Sequence, residues 1–188
     1  MKFVSLLVIL LFLCPGAFAG TLSGNVKATG QSAVVLETVP AKSFPAPSQK
    51  AAMDQQGMKF VPALLVIQQG TTVVFSNGDS VAHNVLWPNI SGNKKLAHNV
   101  GTFNKGKTLS FKYDNAGNVP LLCSLHTEML GTIVVSPSPY FAETDAGDYS
   151  IKDVPDGTYK ATAWHNGKAM TLTVSVSGDT KLDFSPAN

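Results

Sequence analysis

Three residues with side chains that bind soft metal ions stand close together: Cys123, His126 and Met129, within Leu121-Leu122-Cys123-Ser124-Leu125-His126-Thr127-Glu128-Met129-Leu130. A thiolate and a thioether stabilise Cu(I), and an imidazole also suits Cu(II). A site built from all three therefore loses little in passing between the two states. Zinc is the poorer match, since zinc sites draw on Cys, His and carboxylates, and the chain has no Cys-x2-Cys pair. The same Cys-x2-His-x2-Met spacing would also line one face of a helix as simple packing. Pro120 and the β-rich surroundings argue against that alternative.

A trigonal copper site needs a second imidazole, best supplied by a distant strand so that a rigid framework sets the geometry. Two segments offer one, Ala82-His83-Asn84-Val85 and its echo Ala97-His98-Asn99-Val100. His83 is the preferred ligand because it follows the apolar Val73 to Phe75 run and the Asn77-Gly78-Asp79 turn; His98 then reads as a surface or loop residue. His165, beside a turn, reads as solvated, and Met53, Met58 and Met170 read as packing residues.

Together, Val73-Val74-Phe75-Ser76-Asn77 with His83-Asn84-Val85, and Cys123-x2-His126-x2-Met129 ahead of Gly131-Thr132-Ile133-Val134-Val135, resemble the cupredoxins over roughly residues 55 to 136. The short ligand loop is most similar to that of the amicyanins; plastocyanins share its Cys-x2-His opening but space the methionine further away. The resemblance implies an eight-stranded Greek-key sandwich holding one type 1 blue copper ion. His83, Cys123 and His126 would be its equatorial ligands and Met129 the weak axial one. It also implies hydrogen bonds from Asn84 and Ser124 that tie the two ligand segments together and tune the thiolate.

The elements that must position these groups read as all-β: short runs rich in Val, Thr, Ile and aromatics, broken about every ten residues by Gly, Asn, Asp or Pro. Leu64 to Ile67 and Thr71 to Phe75 flank a turn at Gln68-Gln69-Gly70. Thr108 to Tyr113 alternates, with Leu109, Phe111 and Tyr113 on one face, and Gly131 to Ser136 reads as a strand buried on both sides. Asn166-Gly167 suits a type I′ hairpin turn between Thr158–Trp164 and Lys168–Val176.

Pro40 to Lys50 and Ser136-Pro137-Ser138-Pro139 look like seams. The expected division is a signal peptide over 1–19, N-terminal strands and linker over 20–50, the copper domain over 51–136 and a second small β-sandwich module over 137–188. The tail from Tyr140 to Tyr159, with Leu22-Ser23-Gly24-Asn25-Val26 and Ala33-Val34-Val35-Leu36, resembles carboxypeptidase regulatory-like β-sandwich domains. In those domains such strands come first, so the reading is one sandwich split by an inserted copper domain, residues 20 to 40 pairing with 137 to 188. The alternative keeps the N-terminal strand within the cupredoxin. The tail carries no catalytic grouping, and a scaffolding or docking role is expected of it.

Lys2, the apolar Phe3 to Leu13 run and Ala17-Phe18-Ala19 have the form of an export signal cleaved after Ala19, which predicts a periplasmic or secreted protein. Cys14 raises lipidation as an alternative, but Leu11-Phe12-Leu13 is bulky where a lipoprotein signal wants small residues. Cleavage leaves Cys123 as the lone thiol, unable to form an internal disulfide. The formal net charge is +2, and all fourteen basic residues are lysines. Bidentate phosphate or guanine recognition thus has no candidate, and nucleic acid is excluded as a partner. No later stretch is long and apolar enough for a transmembrane helix.

Four protein ligands leave the copper no open position, which points to one-electron transfer rather than catalysis, with no catalytic residues. The expected partners are redox proteins meeting it transiently at an electron-exit patch of Leu125, His126 and Leu130, with Trp87-Pro88 nearby. Lys94, Lys95, Lys105, Lys107 and Lys112, or the acidic Glu143, Asp145, Asp148, Asp153 and Asp156, are candidates for steering those encounters. The alternative functions are copper storage, delivery or sensing, or a structural surface module.

Overall fold

The computed structural model describes residues 19–185. The expected signal segment up to residue 18, with Cys14, lies outside the described residues. Two strands lead, β1 (Ala19–Asn25) and β2 (Ser32–Val39). After the proline-bearing stretch come β3 (Ala51–Gln55), β4 (Phe60–Val61), β5 (Leu64–Gln68), β6 (Thr72–Asn77) and β7 (His83–Trp87). Beyond a 3-10 turn at Lys94–Leu96 lie β8 (His98–Phe103), β9 (Thr108–Lys112), β10 (Gly117–Leu122) and β11 (Leu130–Ser136). The chain closes with β12 (Phe141–Thr144), β13 (Asp148–Pro155), β14 (Gly157–His165), β15 (Lys168–Val176) and β16 (Thr180–Lys181).

These strands form four sheets, ordered β13-β1-β16, β12-β2-β14-β15, β5-β11-β10-β7-β8 and β4-β3-β6-β9. The last two are built wholly from residues between 51 and 136 and enclose one core of Met53, Phe75, Val85, Trp87, Tyr113, Val119, Leu121, Ile133 and Val135. The first two enclose another, including Leu22, Leu36, Ile151, Tyr159, Ala161, Val176 and Phe184. Period-two alternation gives each of these strands one face for its core.

Strands β11 and β2 are buried on both faces. Ile133 and Val135 of β11 point into the first core, whereas Val134 meets Ala33 and Val35 of β2 and Leu64 and Val66 of β5, with Phe141 and Trp164 packed alongside. On β2, Val34 and Leu36 enter the second core while Ala33 and Val35 make this contact. The unbroken apolar runs 33–36 and 133–135 are the sequence mark of strands with no solvent face.

Strand β2 pairs with β12 (Val34↔Ala142) and with β14 (Ala33↔Trp164 to Val39↔Thr158), and β1 pairs with β13 and β16. The β14–β15 hairpin runs nine residues in register around Asn166 and Gly167. Their φ values of 48° and 74° are the left-handed pair a type I′ turn requires. The turn at Gln68-Gln69-Gly70 does not make a hairpin. Strand β5 joins the sheet of β11 and β6 that of β3, so the turn carries the chain across the sandwich.

Candidate metal centre

The ligand loop is the seven-residue connection between β10 and β11. Its base is the facing pair Leu122↔Leu130, so Cys123 and Met129 are the first residues beyond each end, and His126 stands at the middle. The Met129 N–H donates to the His126 carbonyl at 3.1 Å, a tight turn rather than a helix face. On the neighbouring strand, Leu86 of β7 faces Leu122, and His83 opens β7 at the same end of the sandwich.

The loop and the strand bring three donor groups together. His83 Nδ1 lies 3.1 Å from His126 Nδ1, and Cys123 Sγ lies 3.8 Å from His126 Nδ1. One ligand atom from each of His83, Cys123 and His126 lies within 4.8 Å of the others. The two rings meet edge-on, with centroids 4.8 Å apart. His83 is 0% exposed, Cys123 3% and Met129 1%, whereas His126 is half-buried. Cys123 is unpaired, as a ligand must be. Two imidazole nitrogens and a free thiol converging at a largely buried point are a set that fits copper.

A carboxylate fixes the His83 ring from the opposite side. Asp79 Oδ2 sits 2.8 Å from His83 Nε2. Asp79 in turn accepts the backbone N–H of Gly57 at 2.8 Å and of Met58 at 3.0 Å. Both donors lie at positive φ, 61° and 59°. Successive amides in that conformation point into one concavity that suits an anion. The amide of Met58, then that of Gly57, then the His83 ring hold the Asp79 carboxyl down at about 2. An ionised carboxylate only accepts, so Nε2 carries the His83 hydrogen and Nδ1 keeps its lone pair toward Cys123 and His126.

Asn84 ties the two ligand segments through its backbone: its N–H donates to Cys123 Sγ at 3.3 Å, and its carbonyl accepts from Gln55 Nε2 at 3.1 Å. Its side chain turns to β8 and donates to Asn99 Oδ1 at 2.9 Å. Ser124 is exposed, and among the described residues no hydrogen bond reaches its hydroxyl, so the tie falls to Asn84 alone.

Other candidates fall elsewhere. His98 is exposed and paired with Trp87 on β7, its ring 5.3 Å from that of Trp87 and 4.5 Å from that of Phe111, outside the donor cluster. Trp87 is buried and cannot belong to a surface patch. Alternation along β7 puts it on the inward face with His83 and Val85. His165 is half-buried and bonds Ser32 Oγ at 3.0 Å, which joins β14 to β2. Met53 is in the core, but Met58 is exposed at the turn that grips Asp79. Sequence reasoning missed Asp79 and the Gly57-Met58 turn; the Gly-Met pair after Gln55-Gln56 was the available signal for that turn.

Residues 47–136 match the sequence model of the family described as copper binding proteins, plastocyanin/azurin family. Among solved structures, a reduced amicyanin variant is 22% identical, with a TM-score of 0.43, covering 54% of this chain and 91% of its own. A purple cupredoxin from Nitrosopumilus maritimus is 26% identical, with a TM-score of 0.41, covering 46% of this chain and 100% of its own. A copper-containing nitrite reductase from Thermus scotoductus is 22% identical, with a TM-score of 0.43, covering 50% of this chain and 24% of its own. The family match spans both segments that build the donor cluster, and it shows that residues 47–136 are a cupredoxin, a member of the plastocyanin/azurin family of copper-binding proteins.

Proposed function

We propose that this protein is an exported, non-enzymatic carrier of single electrons. It holds one type 1 copper ion by His83, Cys123 and His126, with Met129 as the axial ligand. The observation that carries this reading is the convergence of two imidazole Nδ1 atoms and a free thiol, drawn from two separate segments of a rigid sandwich. Copper, when bound, supplies a one-electron couple. The chain's own contribution is to present the same donors to both oxidation states, so that little rearrangement accompanies the change.

Asp79 fixes the tautomer and aim of His83, and the Asn84 N–H directed at Cys123 Sγ stabilises negative charge on the sulfur. His126 is the ligand nearest solvent. Leu125, 51% exposed, and Leu130, 63% exposed, flank it. They form an apolar patch for brief contact with redox protein partners. Residues 20–40 and 137–188 then form a separate carboxypeptidase regulatory-like sandwich that carries this unit. The expected location is the periplasm or the cell exterior. Among the described residues no helix is long and apolar enough to cross a membrane.

The test is a visible spectrum and a redox titration of the copper-loaded protein. An intense blue colour that bleaches and returns reversibly supports the carrier, and its loss in Cys123→Ser supports the ligand set. A colourless protein that binds only Cu(I) replaces this reading with copper storage or delivery, and a blue Cys123→Ser protein removes Cys123 from the site.

A further inference from the structure

A sheet edge is a row of unpaired backbone donors and acceptors, which proteins ordinarily blunt with short strands, charge, proline, bulges or a covering group. The outermost strands here nearly all carry such a device. Strands β4 and β16 have two residues each and β12 has four. Strand β13 carries Asp148, Lys152, Pro155 and Asp153 at a φ of 55°. Strand β8 shifts register opposite Val85 and Leu86 and has Gly101 at a φ of 119°. Strand β9 ends on Lys112, and β5 has its Val66 N–H covered by Glu143 Oε1 at 2.5 Å.

Among the described residues strand β15 carries none of these beyond Lys168 at its first position. It is nine residues long, pairs with β14 without a bulge and stands at the rim of its sheet. From Ala169 to Val176 it contains no charge and no proline. The two-residue Asn166-Gly167 turn makes His165↔Lys168 the hydrogen-bonded closing pair. Alternate residues from Lys168 therefore bond to β14, and the backbone groups of Ala169, Thr171, Thr173 and Ser175 face outward. Beside them Leu172 is 42% exposed, an apolar side chain on the face otherwise used for the core.

We propose that β15 pairs antiparallel with β15 of a second copy of this chain, about a two-fold axis at Leu172. In that register Thr171 meets Thr173, Ala169 meets Ser175 and Leu172 meets its own mate. Outward-facing backbone groups then meet outward-facing ones, giving about eight hydrogen bonds. The single charge, Lys168, falls opposite Val176, so no like charges are opposed. The two sheets become one of eight strands, four from each copy. The closed two-fold leaves no further edge of this kind open.

Sedimentation velocity on the full chain over a concentration series tests this. Wild type is expected to run as a dimer at high concentration. Thr173→Pro removes only an outward-facing N–H, and Thr173→Lys adds a charge beside the two-fold axis. Each is expected to weaken the dimer at least tenfold, with the thermal unfolding of the monomer retained. If the proline variant fails to fold, the lysine variant decides. A wild type that is monomeric at every concentration, one that forms open-ended assemblies, or a dimer undiminished in the folded variants overturns the proposal.

Discussion

Asp79 grips His83 from the far side of its ring, with Oδ2 2.8 Å from Nε2, and is itself gripped by two consecutive backbone amides. A side chain only 18% exposed thus links the β3–β4 turn to the metal centre. A histidine so held presents one ring nitrogen in one direction, toward Cys123 and His126.

Replacing Asp79 by Asn is expected to lower copper affinity by roughly 10–100-fold, the usual cost of losing such a support. The reduction potential is expected to rise by something on the order of tens of millivolts, because removing a nearby negative charge favours the less positive oxidation state. Competition titration and voltammetry measure the two effects, and Asp79→Glu serves as the conservative control. An unchanged potential in Asp79→Asn would reduce Asp79 to a turn-former.

The same carboxyl gives the metal-free protein a signature in acid. Its folded value, about 2, lies below the ordinary 3.8. The contribution is therefore present in full above the unfolded value and disappears as pH falls through the folded one. Denaturant midpoints of wild type and Asp79→Asn are expected to differ at about pH 5, to draw together as pH falls toward about 2 and to coincide only below it. Curves that stay parallel across that window contradict the assignment.

Gly131 faces Leu121 at the foot of the ligand loop, and a Cβ placed there would lie 2.9 Å from the Phe60 Cβ. Since the Phe60 Cβ belongs to a short, buried stem, backbone must move. Gly131→Ala is expected to destabilise the protein by about 1–3 kcal/mol, as overpacking does. Equilibrium unfolding measures the loss, and the visible band is expected to shift with it because Met129 stands two residues away.

Leu36 is fully buried in the second core and far in sequence from the donor cluster. Leu36→Ala is expected to cost about 2–5 kcal/mol while leaving the copper spectrum unchanged. Calorimetry reads the first and absorbance the second; a spectrum that changes would mean the two cores are not energetically separable.

The convergence of His83, Cys123 and His126 was legible because most of the donor types are compact in sequence. Cys123, His126 and Met129 share one loop, and the apolar strand before His83 distinguishes it from its echo at His98. The double burial of β11 was legible too, since Ile133-Val134-Val135 has no polar alternate. What pattern alone could not supply was anything set by a third segment. Asp79 reads as an ordinary turn residue until the Gly57-Met58 turn is packed against it. Nothing local tells whether the turn at Gly70 returns a strand to its neighbour or sends it to the opposite sheet. The exposed Met58 was read as packing because hydrophobicity does not reveal that its amide, rather than its side chain, is the part in use.

Strands β1 and β2 emerge before residues 51–136 during synthesis but are among the last able to settle. Thr21 bonds to Asp179 across 158 positions, and Ser32 to His165 across 133. Strands β3 to β11 pair only among themselves and can close alone, but Leu64, Val66 and Val134 stay uncovered until β12 and β14 arrive to flank β2. Closing so long a loop is slow relative to local contacts. A chain shortened at its C-terminus would therefore emerge with a finished copper cradle and a sticky back, recruiting holdases or neighbours while its metal chemistry stayed intact.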